Sequence, residues 1–204
     1  GSPLLKKEGL IFSSMSGASA IQEAEYILMM LLGLGHRLPE LIASQQKKDW
    51  PEARWEKFTP MELSGSTVGL VGYGSISRET ARILKSFGAT VLATKKDAMN
   101  PTDSGYTIEN HGDPDGNYFH RLYPVEALKS MLKLCDFVVV TLPLTPSTRG
   151  LIGKDEFQAM KTGAYLVVVS RGGIVDEEAL MDSLTDHKLA GAAFTPDATG
   201  REFT

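Results

Sequence analysis

The chain has 204 residues, of which 42% are hydrophobic and 23% charged, and its formal net charge is −4. This composition is that of an ordinary globular domain and excludes the fibrous and wholly disordered classes. A mildly acidic chain without a long basic run does not favour nucleic acid or an anionic membrane surface as a partner. One cysteine, Cys135, and a first stretch without the apolar core of a signal peptide predict a cytoplasmic protein.

The first predicted element is a helix over residues 18–38, where apolar residues recur at spacings of three and four. Ser19 followed three residues later by Gln22 predicts a capping box at its start. Pro39 ends or kinks this helix, and residues 40–48 restart it. The helix has more apolar residues than one flank of a domain can bury, which predicts a homodimer formed through it.

From residue 67 onward, apolar strands alternate with helices. The predicted strands are 67–71, 90–94, 137–142, 164–169 and 190–194, and the predicted helices are 78–87, 124–134, 155–160 and 176–186. Strands that are apolar on both faces and alternate with helices are typical of a doubly wound parallel sheet in the α/β class. Trp50 and Trp55 are predicted to cover the junction between the first helix and this core.

Residues 95–123 are rich in Asn, Asp, Gly and Pro, and this stretch is predicted to be a long loop. A loop of this length is usually either functional or mobile. Two interpretations stay open, namely that it covers the adenosine end of a dinucleotide or that it is disordered.

A glycine-rich turn joins the strand at 67–71 to the next helix. Its residues are Gly72, Tyr73, Gly74, Ser75 and Ile76. In such a turn, free backbone N–H groups and the helix dipole face a pyrophosphate, so the sequence predicts a dinucleotide site here. Gly72 allows the tight turn and Gly74 lets the phosphates approach the backbone, whereas Ser77 stands where glycine or alanine is usual.

The end of the second predicted strand is where an acidic residue normally binds the adenosine ribose of NAD. This chain has Thr94, Lys95 and Lys96 at that place. Two lysines attract a 2′-phosphate, which an acidic residue would repel, so we expect NADP to be favoured over NAD. The alternative is a solvated charge pair at the end of a strand.

Three blocks resemble the D-isomer-specific 2-hydroxyacid dehydrogenases, namely residues 72–78, 141–152 and 170–180. The resemblance covers roughly residues 8–194. It implies a Rossmann-type nucleotide-binding domain that is preceded by a long dimerisation helix, with the substrate domain largely absent. We interpret 1–204 as one such domain, and its parts are a lead segment (1–16), a helical arm (17–60), the Rossmann core (61–194) and a divergent tail (195–204).

The resemblance also implies an activity, which is hydride transfer between a nicotinamide cofactor and a 2-hydroxy or 2-keto acid. It assigns the family's catalytic arginine to Arg171, at the end of a predicted strand, where a guanidinium can hold a carboxylate or polarise a ketone. The further cofactor-binding residues that it implies are Thr141, Leu142, Pro143, Thr148, Val169 and Ser170.

The chain departs from the family pattern after residue 194. The family's acid falls on Gly200, and Thr195 stands where the family has an aspartate beside the nicotinamide. None of the four histidines matches the catalytic one, which the resemblance places beyond residue 204, and no metal site is predicted. We therefore expect the chain alone to bind cofactor without turnover. The alternative is a non-catalytic dinucleotide sensor or corepressor-like module.

Overall fold

The computed structural model describes residues 7–195, apart from residues 12 and 14. They contain one six-stranded sheet in which every neighbouring pair of strands is parallel. The strands are β1 (Thr67–Val71), β2 (Thr90–Thr94), β3 (Arg121–Tyr123), β4 (Phe137–Val140), β5 (Ala164–Val168) and β6 (Leu189–Phe194). Their order in space is β3-β2-β1-β4-β5-β6, so the direction of winding reverses between β1 and β4.

Helices cover both faces of this sheet. They are α1 (Ala20–Gly35), α2 (Leu38–Lys47), α3 (Arg54–Lys57), α4 (Ser75–Ser86), α5 (Leu128–Leu132), α6 (Lys154–Ala159) and α7 (Glu177–Thr185). Buried residues of α1 and α4 form one core with the sheet, and those of α5, α6 and α7 form a second core on the opposite face. The predicted doubly wound parallel sheet is therefore confirmed.

The central strands are apolar because both of their faces are covered. Every residue of β4 and β5 is buried. Along β4, Val138 belongs to one core and Val139 to the other, as the alternation of side chains in a strand requires. A parallel sheet with both faces covered therefore accounts for the continuous apolar runs from which these strands were predicted.

The first helix is shorter than predicted, and the predicted capping box is wrong. α1 ends at Gly35, and Arg37, with a φ of 53°, separates it from α2. Pro39 lies in the first turn of α2, where the missing N–H removes no helical hydrogen bond. Ser19 is the N-cap residue, but its side chain makes no capping hydrogen bond.

The length and hydropathy of the described helices bear on whether one of them could span a membrane. None of them is by itself long and apolar enough to cross a bilayer, and α1 and α2 pass that test only together, across a bend of 60°.

The predicted loop over residues 95–123 is wrong at its end. Residues Arg121–Tyr123 form β3, in which Tyr123 pairs with Thr94 of β2. Only one of its three residues is buried, so this edge strand lacks the apolar run that marks the central strands. The predicted helix after it is split into a 3₁₀ turn, Val125–Ala127, and α5.

The two tryptophans do not cover the junction predicted for them. Trp50 is 70% exposed and Trp55 is 78% exposed. The guanidinium of Arg54 lies 5.7 Å and 5.5 Å from the centroids of their rings. Both rings therefore pack against this cation at the surface, which is favourable without burial in the core.

Candidate functional site

The turn after β1 holds a glycine in a conformation that other residues avoid. Gly72 has a φ of 95°, and a Cβ atom there would lie 2.7 Å from Cδ2 of Leu142. Its backbone N–H donates to the Thr94 hydroxyl at 3.0 Å. The turn is thus fixed against the ends of two neighbouring strands, and a side chain at residue 72 would displace it.

Helix α4 begins at this turn, three residues before its predicted start at residue 78. Gly74 is the N-cap residue, and no side chain caps the N–H groups of the first turn. A Cβ atom at Gly74 would have no other group within 4 Å. The positive end of a 12-residue helix is thus open to an approaching anion.

The serine at the third position of the turn is accommodated by a hydrogen bond. Ser77 is fully buried, and its hydroxyl lies 2.8 Å from the Thr141 hydroxyl at the end of β4. The Ser77 hydroxyl, which glycine or alanine would lack, therefore links α4 to the sheet.

A cleft of about 940 Å³ opens in front of the N-terminus of α4. Nine of the predicted site residues line it, and they come from the segments that follow β1, β4 and β5. They are Gly74, Ser75, Ile76, Thr141, Leu142, Pro143, Val169, Ser170 and Arg171. They meet because the carboxyl ends of parallel strands lie at the same edge of a sheet.

The opposite wall of the cleft was not predicted. It is formed by the start of α1 and the residues before it, namely Ser16, Ser19, Gln22, Glu23 and Tyr26. The Tyr26 hydroxyl donates to the Phe194 carbonyl at 2.7 Å, which fastens α1 to the end of β6. Burial, and secondarily the charge of Glu23, raise the pKa of Tyr26, so this phenol stays a donor. The apolar period of α1 predicts its buried face but not which edge of the sheet it meets.

Six predicted residues lie outside the lining of the cleft. They are Gly72, Tyr73, Thr94, Lys95, Lys96 and Thr148. Gly72 forms the tight turn itself, and the Thr94 hydroxyl accepts a hydrogen bond from its N–H, as described above. The Thr148 hydroxyl donates to the Pro143 carbonyl at 2.6 Å and thereby shapes the loop after β4.

Tyr73 faces away from the cleft because its hydroxyl has another partner. It donates to Oδ2 of Asp113 at 2.6 Å, and Tyr73 is only 4% exposed. Asp113 is itself buried and accepts from the backbone N–H groups of Asn117 and Tyr118, at 2.7 and 3.0 Å. The Tyr73 hydroxyl is therefore occupied by the fold itself, and the binding of a cofactor by residue 73 stays a prediction.

Residues 97–120, which we call the covering segment, pack over α4. Arg78, only 2% exposed, donates to the backbone carbonyls of Asp113 and Pro101. Its Nε lies 3.3 Å from the carboxylate of Asp103. The guanidinium stands over the Tyr73 ring at 4.7 Å. These contacts hold the segment on the helix, so the alternative that it is disordered is wrong.

A second buried charge on α4 also binds the covering segment. Glu79 accepts two hydrogen bonds from Arg82, one from the Gly112 N–H at 2.6 Å, and contacts Nδ1 of His111 at 3.0 Å. Burial by itself would raise the pKa of Glu79, but these hydrogen bonds outweigh it and lower the pKa to about 2.

The two lysines after β2 differ in their surroundings. Lys95 donates from Nζ to the carbonyls of Asn100 and Thr102 at 2.5 and 2.9 Å, and thereby closes the start of the covering segment. Lys96 is exposed. The Lys95 side chain is thus hydrogen-bonded to the covering segment, whereas the Lys96 side chain faces solvent.

The far end of the cleft lies beyond β5. Arg171 is exposed, and the preceding Ser170 is only 7% exposed. The Ser170 hydroxyl has no hydrogen-bond partner among the residues that the structure describes. Thr195 also lines the cleft, and its N–H donates to the Val168 carbonyl at 3.0 Å. The predicted position of the acid, Gly200, lies outside the described residues.

Other titratable side chains have structural surroundings. Within the described part of the chain, no group of three or more His, Cys, Asp or Glu could hold a metal ion. His120 accepts from the Val91 N–H at 2.9 Å through Nδ1. Burial raises the pKa of Cys135 to about 12, so its thiol is not a nucleophile at neutral pH.

Comparison with known proteins decides the family. The model of the D-isomer specific 2-hydroxyacid dehydrogenase NAD binding domain matches residues 28–198. The chain belongs to this family. The family assignment supports the dehydrogenase interpretation over the sensor or corepressor-like module.

The relatives are longer than this chain. Human D-3-phosphoglycerate dehydrogenase is 32% identical over 187 residues, which are 92% of this chain and 32% of that protein. The chain spans about a third of the length of the curated relatives it matches. What matches is thus the nucleotide-binding part of larger proteins.

Solved structures agree with this fold. A D-isomer specific 2-hydroxyacid dehydrogenase from Xanthobacter autotrophicus Py2, in complex with NADPH and MES, has a TM-score of 0.74 at 25% identity, over 98% of this chain and 75% of that one. D-lactate dehydrogenase from Lactobacillus jensenii, solved with NAD⁺, has a TM-score of 0.71 at 27% identity, over 93% of this chain and 50% of that one. The Rossmann-type fold is thereby confirmed.

Proposed function

We propose that this chain is the cofactor-binding part of an oxidoreductase that transfers a hydride between a nicotinamide dinucleotide and a 2-hydroxy or 2-keto acid. The observation that carries the proposal is one continuous cleft, which joins the open N-terminus of α4 to Arg171. The residues fit such a cofactor, because Gly74 leaves room for phosphates and Ser170 offers an unpaired hydroxyl. When bound, the cofactor would donate the hydride to a 2-keto acid or accept it from a 2-hydroxy acid.

In this proposal Arg171 binds the acid. Its planar guanidinium can hold the carboxylate in a bidentate pair or stabilise charge that develops on the carbonyl oxygen. Arg171→Ala in the full-length enzyme is expected to lower kcat/KM for the acid and to leave the Kd of the cofactor unchanged. Equal losses in both quantities would instead indicate a structural role.

Turnover also requires a proton donor at the acid. No histidine is among the described residues that line the cleft. The Tyr26 hydroxyl already donates to the Phe194 carbonyl, and the donor that the family resemblance implies is a histidine, so we infer that it comes from a part of the protein outside the described residues. This chain alone is then expected to bind the cofactor without reducing a keto acid.

The proposal also includes a preference for NADP over NAD, and this preference depends chiefly on Lys96. In the doubly wound fold the adenosine ribose lies at the end of β2, where this chain has lysines instead of an acid. The Lys95 ammonium is hydrogen-bonded to the covering segment, so it can attract a 2′-phosphate only from that fixed position. Lys96 is exposed and can reach a 2′-phosphate.

Titration of NADPH and NADH into this chain, followed by nicotinamide fluorescence or calorimetry, tests the proposal. We expect tighter binding of NADPH, and Lys96→Ala should weaken NADPH about tenfold while leaving NADH unchanged, since a charge-assisted contact is worth about 1.5–3 kcal/mol. Lys133→Ala is the matched control, because Lys133 is an exposed lysine after α5. Equal affinities for both cofactors would contradict the NADP preference, and binding of neither would contradict the proposed function.

The homodimer stays a proposal as well. Large apolar side chains are exposed on α1, α2 and the residues around α3, namely Met29, Leu38, Ile42, Trp50 and Trp55. Exposed apolar groups that lie on neighbouring elements are typical of an interaction surface. Light scattering is expected to give twice the chain mass of 22.1 kDa at micromolar concentration, and a strict monomer would contradict the proposal.

A further inference from the structure

The glycine turn after β1 has a side chain at its centre, and the covering segment holds that side chain. Tyr73 stands between Gly72 and Gly74, two residues whose backbone has the greatest conformational freedom. The Tyr73 hydroxyl donates to Oδ2 of Asp113 at 2.6 Å, and its ring meets the Phe119 ring edge-on, with 5.2 Å between the centroids. The segment therefore restrains a turn whose own backbone is unusually free.

The acceptor of this hydrogen bond is itself firmly held. Asp113 is only 2% exposed and accepts from the backbone N–H groups of Asn117 and Tyr118. Arg78 of α4 donates to the Asp113 carbonyl and stands over the Tyr73 ring. Burial and the hydrogen bond to Asp113 raise the pKa of Tyr73, so this phenol stays a donor. The bond thus joins the glycine turn to a rigid part of the covering segment.

The covering segment also meets two other structures at the rim of the cleft. Lys95, which follows β2, donates to two backbone carbonyls of the segment. A Cβ atom at Gly17 would lie 2.5 Å from the Tyr106 carbonyl oxygen, and the neighbouring Ser16 and Ser19 line the cleft. Among the described residues that line the cleft, none belongs to the segment itself. The segment therefore contacts the surroundings of the cleft but not its interior.

We propose that the covering segment holds the glycine turn in its dinucleotide-binding conformation through the hydrogen bond from Tyr73 to Asp113. This inference rests on the proposed function. A turn that already has its binding conformation loses less freedom when the ligand binds, which raises the affinity. Such a coupling is reciprocal, so the bound dinucleotide stabilises the segment by the same factor. Asp113 is therefore a positioning residue that acts through Tyr73 and does not touch the cofactor.

The first test removes one hydroxyl. Tyr73→Phe keeps the ring and its contacts, and calorimetry gives the Kd of NADPH or NADH, whichever the wild-type chain binds more tightly. We expect binding to be about fivefold weaker, at the low end of typical coupling between sites. The matched control is Tyr165→Phe, because Tyr165 is also buried, with its ring stacked on Phe137 in the core. This control should bind the dinucleotide as the wild type does.

A double-mutant cycle tests whether Asp113 acts through Tyr73. Asp113→Asn removes the charged acceptor and should weaken binding at least as much as Tyr73→Phe. The variant with both substitutions should bind no more weakly than Asp113→Asn alone, because both changes remove the same hydrogen bond. Fully additive losses would mean that the two residues act independently, which overturns the inference.

Hydrogen exchange followed by mass spectrometry measures the reciprocal effect. The probes are the backbone N–H groups of Gly112, Asn117 and Tyr118, which donate within the fold to Glu79 and Asp113. We expect the dinucleotide to slow their exchange about fivefold in the wild type and clearly less in Tyr73→Phe. A purely structural bond would give the same exchange with and without the ligand.

The outcomes are distinct. A lower unfolding temperature of Tyr73→Phe with an unchanged Kd would assign the bond a structural role only, which overturns the inference and leaves the proposed function standing. Slowing of exchange that persists in full in Tyr73→Phe would indicate direct contact between ligand and segment, which also overturns it. A wild-type chain that binds neither NADPH nor NADH would overturn the proposed function and this inference with it.

Discussion

The two sides of helix α4 differ in how their polar groups are satisfied. On the cleft side, the N-terminal N–H groups of α4 have no side-chain cap, and the Ser170 hydroxyl across the cleft has no described partner. On the side of the covering segment, Arg78 and Glu79 are almost fully buried, and several hydrogen bonds and ion pairs surround them. The polar groups on the cleft side are therefore available to a ligand, whereas those on the side of the covering segment stabilise the fold.

The comparison also separates residues that are adjacent in sequence. Gly74 and Ser75 belong to the cleft, whereas Tyr73, one residue earlier, donates to Asp113 of the covering segment. Likewise Lys95 bonds to that segment and Lys96 does not. Membership of a sequence motif thus does not decide which side chains a ligand can reach.

The largest expected effect comes from Arg78 on the buried side. Arg78→Ala should lower the free energy of unfolding by about 3–5 kcal/mol, because the carbonyls of Asp113 and Pro101 each lose their donor, at about 1–3 kcal/mol apiece, and the packing of the guanidinium on the Tyr73 ring is lost. Urea denaturation followed by circular dichroism measures this change. Lys129→Ala, which removes an exposed ion pair with Asp155, is the control and should leave stability unchanged. If both variants unfold alike, the buried side does not have the structural role described here.

The second effect is the dependence of stability on pH through Glu79. The pKa of this carboxyl lies near 2 in the folded chain and near 4.5 when unperturbed, so its ionised form favours folding. The contribution, roughly 3 kcal/mol, is fully present above pH 4.5 and is lost as the pH falls towards 2. Denaturation measured between pH 6 and pH 2.5 should show this decline, and Glu79→Gln should flatten it. A variant with the same pH profile as the wild type would disprove the assignment.

The smallest change in stability, with the most specific change in binding, comes from the two glycines of the turn. Gly72→Ala should cost about 1–3 kcal/mol of stability, because its φ of 95° is strained for alanine and the added methyl meets Leu142. Gly74→Ala should leave stability nearly unchanged but weaken dinucleotide binding at least tenfold, since its Cβ would occupy open space at the helix N-terminus. Denaturation and calorimetry on both variants check this. Loss of stability in both would mean that the cleft side is as tightly packed as the covered side.

Much of the cleft followed from the sequence because its residues come directly after apolar strands. The runs at β4 and β5 place residues 141–143 and 169–171 at one edge of a parallel sheet without knowledge of any long-range contact. The strand pattern also places Arg171 at the cleft, whereas its role in binding the acid comes from the family resemblance and stays a prediction. The features that the sequence did not predict have the opposite origin. No local pattern indicates that Tyr73 meets Asp113, 40 residues away, or that Trp50 and Trp55 stay at the surface.

The sequence by itself therefore determined the alternating strands and helices, the glycine turn and the family, since each depends on neighbours within a few residues. Only the tertiary structure decided that α1 forms the second wall of the cleft, through Tyr26 and Phe194, and that residues 97–120 cover α4. The physical reason is that these contacts join polar groups of segments distant in sequence. Hydrogen bonds of that kind depend on where the packed helices bring the side chains, and hydrophobic periodicity carries no information about them.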